Sequence, residues 1–184
     1  MVYINHAYKF VFIENPKTGS TSLLQAFEKT LGIKIPRDPK LSHLTVEEVQ
    51  RIVQGLEEYT WISTHRNPFK RWCSCMNYEL HGGRYQTDKG KLIKVQDYNT
   101  FEKLEEHVMN PRDCVWCIPQ ELFVEGCHVV LELDQELQEQ WETLHAHLGL
   151  PGEPVLIECK NFSKGEPPFS KEQLKSLYDR IFRG

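Results

Sequence analysis

Tyr8-Lys-Phe-Val-Phe-Ile-Glu14 runs directly into Asn15-Pro-Lys-Thr-Gly-Ser-Thr-Ser22, and this junction decides how the rest of the chain is read. The first stretch is a short apolar run bounded by turn residues, the pattern of a buried strand. Asn15–Gly19 is a turn, and Ser20–Leu31 follows as a helix with Leu23, Leu24, Phe27 and Leu31 on one face. Gly32 suits the helix's C-terminal cap. A strand, a tight turn and a helix in that order aim the first N–H groups of the helix at an incoming anion. Gly19 allows close backbone approach, Ser20, Thr21 and Ser22 supply hydroxyls, and Lys17 supplies a positive charge. Any strand–turn–helix junction uses Gly, Ser and Thr, so on composition alone a purely structural turn stays open.

Working outward, Thr45-Val-Glu-Glu48 is a capping box that opens a second helix with Val46, Val49, Ile52 and Val53 at helical spacing. Tyr59–Thr64 reads as a second strand, and Pro68 starts a helix at the position where its missing N–H costs nothing. Residues 81–99 read as a long loop, and Asn99 with Glu102 caps a helix running to about Met109. His128–Leu133 is a strand, Gln135–Leu148 a helix stopped by Gly149 and Pro151, and Val155–Glu158 a short strand. Ser170 with Gln173 opens a last helix carrying Leu174, Leu177, Ile181 and Phe182. Strands alternating with helices predict an α/β fold, a three-layer α/β/α arrangement around a mostly parallel sheet. A length of 184 residues suits a single domain, 1–184, with a hydrophobic core and no obligatory staples.

Composition narrows the partners. A formal charge of −4 argues against a dedicated nucleic-acid binder, although a local cluster binds an anion whatever the total. The apolar run Phe10–Ile13 is far short of the roughly 20 residues that span a bilayer, and Met1–Lys9 lacks a signal peptide's order. The expectation is a cytoplasmic chain without a membrane segment, or else one that lacks its targeting region. Its six cysteines, at 73, 75, 114, 117, 127 and 159, are then reduced thiols. Cys114-Val-Trp-Cys117 has the spacing of half a zinc site or a redox motif, but no second such pair follows. Structural thiols are the favoured reading, with metal and redox roles left open.

A second motif, Ser63-Thr-His-Arg-Asn-Pro-Phe-Lys-Arg-Trp-Cys-Ser74, follows the second strand. Arg66 stands at the strand's end, where a guanidinium presents a two-pronged donor to phosphate, and Ser74 lies two helical turns further on. The first loop is not the kinase type, because Lys17 precedes Gly19 and the loop contains no Gly-Lys pair. Pro-Lys-Thr-Gly-Ser-Thr instead resembles the 5′-phosphosulfate loop of sulfotransferases that use 3′-phosphoadenosine 5′-phosphosulfate (PAPS). Arg-Asn-Pro-Phe-x-Arg-x-x-Ser resembles the 3′-phosphate motif of the same family.

The likeness extends to Trp141–Pro151, a helix and its stop, and to Lys160-Asn-Phe-Ser-Lys164, similar to the segment that closes over the nucleotide. It points to a minimal form of the carbohydrate-type, Golgi and bacterial, branch. The resemblance implies a P-loop-like sulfotransferase fold and PAPS as co-substrate, with no metal. Lys17 would contact the bridging oxygen and act in catalysis. Thr18, Gly19, Ser20, Thr21 and Ser22 would hold the 5′-phosphate, Arg66 and Ser74 the 3′-phosphate, and Ser163 and Lys164 would close over the nucleotide. Four positions depart from the family's habit. Leu133 and Gln135 lie where Arg and Glu are common, Met76 replaces an aromatic, and His65 occupies a usually apolar position.

Sulfuryl transfer needs in-line positioning, charge stabilisation on the leaving oxygen, and a base for the acceptor hydroxyl. Of eight histidines, His43 precedes the Thr45 capping box and resembles a histidine found between the two motifs in several carbohydrate sulfotransferases. It is the candidate base, with Glu14 and His81 next, and a surface or capping role is its alternative. His107, His145 and His147 fall on helices as solvated or packing residues. The segment Gly82–Lys94 carries Arg84, Lys89, Lys91 and Lys94 against Asp88 alone. A solvated loop accounts for this, and an anionic acceptor is the sharper reading. The expected activity is sulfuryl transfer from PAPS to a hydroxyl acceptor, an anionic glycan or a small molecule. A P-loop nucleotide-dependent kinase and a non-catalytic nucleotide-binding module are the alternatives.

Overall fold

The computed structural model describes residues 2–36, 41–80, 84–86, 92–94, 100–108, 118–158 and 169–183. The chain divides into two compact units, Met1–Arg66 with Pro119–Lys160, and Asn67–Ile118 with Asn161–Gly184.

The first unit is built on a four-stranded open sheet of β1 (Val2–Asn5), β2 (Phe10–Ile13), β3 (Thr60–His65) and a late strand, β6 (Val129–Glu132), in the order β1-β2-β3-β6. The pairings of β2 with β3 and of β3 with β6 are parallel, and β1 adds an antiparallel edge. The sequence reading did not assign β1. Its four residues are too few to show a period, and what makes them a strand is a turn. Asn5 Oδ1 accepts the Tyr8 N–H at 2.9 Å and Lys9 takes a left-handed φ of 47°, which turns Val2–Asn5 back onto β2.

β2 is buried along its whole length, as its apolar run predicts. Phe10 and Phe12 meet Leu23, Leu24 and Phe27 of α1 (Ser20–Leu31), together with Ile62, Leu131 and Trp141. Phe27 stacks on Phe10 at 4.7 Å and receives Trp141 edge-on at 5.1 Å. Burying each such ring contributes about 1.5–3 kcal/mol, so this cluster fixes α1 on the sheet. The Thr45–Glu48 capping box is present at the start of α2 (Val46–Ile52).

Val155–Glu158 is not a strand. Its alternation is real, because Val155 and Ile157 pack on the core while Leu156 is 75% exposed. The backbone partner, however, is a side chain of α5 (Leu137–His147). Gln138 Oε1 accepts the Ile157 N–H at 2.9 Å and its Nε2 donates to the Val155 carbonyl at 3.4 Å. A glutamine here satisfies what a neighbouring strand would.

The second unit holds α3 (Pro68–Leu80), a hairpin of β4 (Arg84–Gln86) and β5 (Leu92–Lys94), α4 (Phe101–Val108) and α6 (Lys171–Phe182). Trp72, Cys75 and Met76 of α3 pack on Leu174, Leu177 and Tyr178 of α6. The hairpin lies where the sequence reading places a long loop, with Tyr85 opposite Ile93. Short β-forming triplets flanking Asp88 and Gly90 are the hairpin signal that the surrounding charges obscure. Thr100 Oγ1 accepts the Lys103 N–H and so caps α4; Asn99, expected there, lies outside the described residues. Ser170 and Gln173 form the expected capping box of α6.

Among the described residues no helix is long and apolar enough to cross a membrane. Cys73, Cys75 and Cys127 form no disulfide among the described residues, and burial pushes the Cys127 thiol up to about 12. Cys114 and Cys117 lie outside the described residues.

Candidate functional site

The junction after β2 is held by neutral polar side chains that are almost wholly buried. Asn15 Nδ2 donates to the Thr64 carbonyl at 2.9 Å and, more weakly, to the Gln120 carbonyl at 3.4 Å. Thr18 Oγ1 donates to the Asn15 carbonyl at 2.7 Å and lies 2.6 Å from Thr64 Oγ1, and Ser20 Oγ reaches the same carbonyl at 3.1 Å. These bonds tie the turn to the end of β3. They also direct the Thr18 and Ser20 hydroxyls inward, so in this conformation those two residues face an outside ligand chiefly through backbone N–H.

Lys17 and Gly19 both take left-handed backbone, with φ of 64° and 82°. The Ser22 and Leu23 N–H groups bond to the Gly19 carbonyl, and the N–H groups just ahead of them lie beyond the reach of the helix's own carbonyls. No acidic residue occupies the first turn of α1, so the positive end of the helix dipole is uncompensated there. A Cβ on Gly19 would fall 2.6 Å from Leu133 Cδ1, the tip of a half-buried side chain that can shift, so the left-handed conformation is the stronger reason for glycine here.

The ends of β3 and β6 carry charge. His65 and Glu132 are opposite each other in the parallel register, and His65 Nδ1 lies 2.9 Å from Glu132 Oε2. One step further along the chain, Arg66 Nε faces Asp134 Oδ1 at 3.8 Å, too far for a hydrogen bond. That Nε is buried and has no hydrogen-bond partner among the described residues. The Arg66 backbone is clamped by Gln120, whose Nε2 donates to the Arg66 carbonyl at 2.6 Å while its Oε1 accepts the Arg66 N–H at 3.3 Å. Gln140 holds Glu132 in the same way, at 2.8 and 3.1 Å.

Gln120 is the residue that sequence reasoning missed. It is 1% exposed and bonded both to Arg66 and, through its carbonyl, to Asn15. Its only signal was an uncharged amide in a short run between Pro119 and Phe123.

The first unit therefore gathers Lys17, Thr18, Gly19, Ser20, Thr21 and Ser22 on one turn and bonds that turn to the strand end that bears Arg66. Thr21 and Lys17 are half-buried and Ser22 is buried. Glu14 is half-buried at the end of β2. His43 has a left-handed φ of 58° in the turn ahead of α2, whose first residue, Val46, lies against Gly126 before the start of β6. Ser74 is a half-buried residue of α3 in the second unit. His145 packs on Trp141 in the core and His147 is exposed, matching the packing and solvated roles expected of them. His81, Ser163 and Lys164 lie outside the described residues.

A groove of about 600 Å³ runs along β6 and α5, lined by Val129, Leu131, Gln140 and Leu144 among others. None of the turn residues or Arg66 lines it, so its volume says nothing about an anion site. Among the described residues no group of three or more His, Cys, Asp or Glu is gathered for a metal. The chain matches no protein-family model, and no curated protein matches it.

Proposed function

We propose that this chain is a PAPS-dependent sulfotransferase that moves a sulfuryl group to a hydroxyl acceptor, on a P-loop-like, three-layer α/β/α version of its mixed α/β fold. The observation that carries the reading is the hydrogen-bonded link between the Lys17 turn and the strand end of Arg66, through Thr64 and Gln120. The groups fit a doubly phosphorylated ligand. The first N–H groups of α1, beyond the reach of the helix's own carbonyls, are donors for one phosphate, and Arg66 Nε is a buried donor with no hydrogen-bond partner among the described residues.

When bound, PAPS supplies an activated sulfuryl group whose leaving oxygen is on the 5′-phosphate. Residues 18–22 hold that phosphate at the helix N-terminus. Lys17 neutralises negative charge as it grows on the leaving oxygen, the kind of interaction that is strongest in the transition state. The resemblance assigns the 3′-phosphate to Arg66 and Ser74, and closure over the nucleotide to Ser163 and Lys164. The incoming hydroxyl must also lose its proton, and His43 is the residue that the resemblance offers for this. The cationic segment around Arg84 and Lys94 favours an anionic glycan among acceptors.

Thermal unfolding with nucleotides tests the donor half. Adenosine 3′,5′-bisphosphate (PAP) at 100 times its dissociation constant should stabilise the fold by about 2.7 kcal/mol, and ATP with magnesium far less. Equal shifts would favour a kinase instead. Transfer of labelled sulfate from PAPS then separates an enzyme from a module that only binds.

A further inference from the structure

His65 and Glu132 form a pair that the donor-side reading leaves unused. They come from strands 67 residues apart in sequence, meet in register at the C-terminal ends of β3 and β6, and lie 2.9 Å from each other. The ends of parallel strands are where open α/β sheets bind ligands. His65 follows directly on Thr64, which bonds through both its carbonyl and its hydroxyl to the Lys17 turn, and it precedes Arg66. Its side chain is 23% exposed and that of Glu132 36%, so the pair is neither sealed in the core nor a freely solvated surface contact.

An ionised carboxylate only accepts hydrogen bonds, so the ring nitrogen facing Glu132 must carry the proton. Nδ1–H is then fixed, and Nε2 keeps its lone pair. Nε2 makes no hydrogen bond among the described residues and is not among the buried polar atoms that lack one. An imidazole with one nitrogen oriented by a carboxylate and the other bare is the form that accepts a proton from a hydroxyl. Arg66, just beyond β3, and Asp134, just beyond β6, face each other at 3.8 Å.

We propose that the acceptor hydroxyl gives its proton to His65 Nε2, with Glu132 as the positioning residue, in place of His43. This deepens the sulfotransferase reading and rests on it. As the acceptor oxygen bonds to sulfur, its proton passes to Nε2. The bridging S–O bond breaks, and its electron pair leaves on the 5′-phosphate oxygen beside Lys17. The imidazolium that forms carries one positive charge against Glu132, and the proton returns to solvent after the product leaves.

Two measurements test this on the full chain. The ¹⁵N spectrum of the neutral His65 ring should show a protonated Nδ1 and a bare Nε2, and Glu132→Gln should erode that preference. The opposite tautomer in the wild type overturns the proposal. Single-turnover transfer from labelled PAPS, with chitotriose, desulfated heparin and 2-naphthol as acceptors, is the second. His65→Ala should keep PAP affinity within about twofold and lose about 10²–10⁴-fold in rate, with part of the loss restored by added imidazole.

Glu132→Gln should lose less, in rate rather than in PAP affinity. His65→Gln replaces the alanine variant if that one does not fold. A near-native rate in the His65 variant, or a loss that imidazole does not relieve, overturns the proposal while leaving the donor site intact. A wild-type chain that neither binds PAP nor transfers label overturns the sulfotransferase reading and the dyad with it.

Discussion

The turn after β2 and the adjoining ends of β3 and β6 touch each other, yet they are built on opposite principles. In the turn, Asn15, Thr18 and Thr64 are neutral, at most 1% exposed, and bonded to one another or to backbone. At the strand ends, His65, Arg66, Glu132 and Asp134 are charged or titratable and partly exposed, and the Arg66–Asp134 pair is too long to be a hydrogen bond. These buried bonds rigidify the backbone, although Asn15 Oδ1 is buried with no hydrogen-bond partner among the described residues. Loosely paired charges at a rim contribute little stability and remain available to a ligand. The difference separates two jobs: the turn sets a shape, and the strand ends carry the charge that the proposed ligand would meet. Lys17 is the exception, a charged side chain placed on the rigid part.

That exception gives the largest expected effect. Lys17→Ala should lower the single-turnover rate by about 10²–10³-fold, the usual worth of a donor aimed at a developing oxyanion, with a smaller loss of PAP affinity. Equal losses in rate and affinity would make Lys17 an ordinary binding residue. Next comes Gly19→Ala, which should act on the fold. The left-handed backbone adds about 1–2 kcal/mol and the encroachment on Leu133 only about 1 kcal/mol, the low end for overpacking, because a half-buried side-chain tip can move. In urea unfolding, a second change, Leu133→Ala, should relieve only the packing part of the Gly19→Ala loss. A Gly19→Ala chain as stable as wild type would mean the turn is not the rigid partner in the comparison.

Smallest is Arg66→Ala. It should cost about 1.5–3 kcal/mol of PAP affinity and barely change affinity for the 3′-dephospho analogue. Its effect on unfolding free energy should stay within about 0.5 kcal/mol, because the pair with Asp134 is long and partly exposed. Loss of both ligands alike would remove the 3′-phosphate assignment.

What the sequence made legible follows from how local each signal is. The β2–α1 junction was readable because strand, turn and helix signals lie within 24 consecutive residues, Tyr8 to Leu31. The two capping boxes, at Thr45 and Ser170, are four-residue signals and appear where expected. β1 escaped because its identity depends on a turn that returns it to β2. Val155–Glu158 had a strand's alternation, but its hydrogen-bond partner was Gln138, and no pattern in the segment itself could say so. The His65–Glu132 pair depends on register between two distant strands, and Gln120 on a fold that brings it to Arg66. Candidate ligand residues were therefore visible one motif at a time, while the groups that orient them became visible only once the sheet was assembled.

The clamp of Gln140 on Glu132 has an effect beyond orienting a carboxylate. β6 ends the sheet order, so the Glu132 N–H and C=O that do not face β3 belong to an edge. Unpaired edges of this kind recruit strands from other chains. The Gln140 amide donates and accepts there as a neighbouring peptide unit would, at 3.1 and 2.8 Å. It acts as a one-residue decoy strand that caps the Glu132 position of this edge against templated self-association, while leaving His65 on the other side of Glu132 untouched.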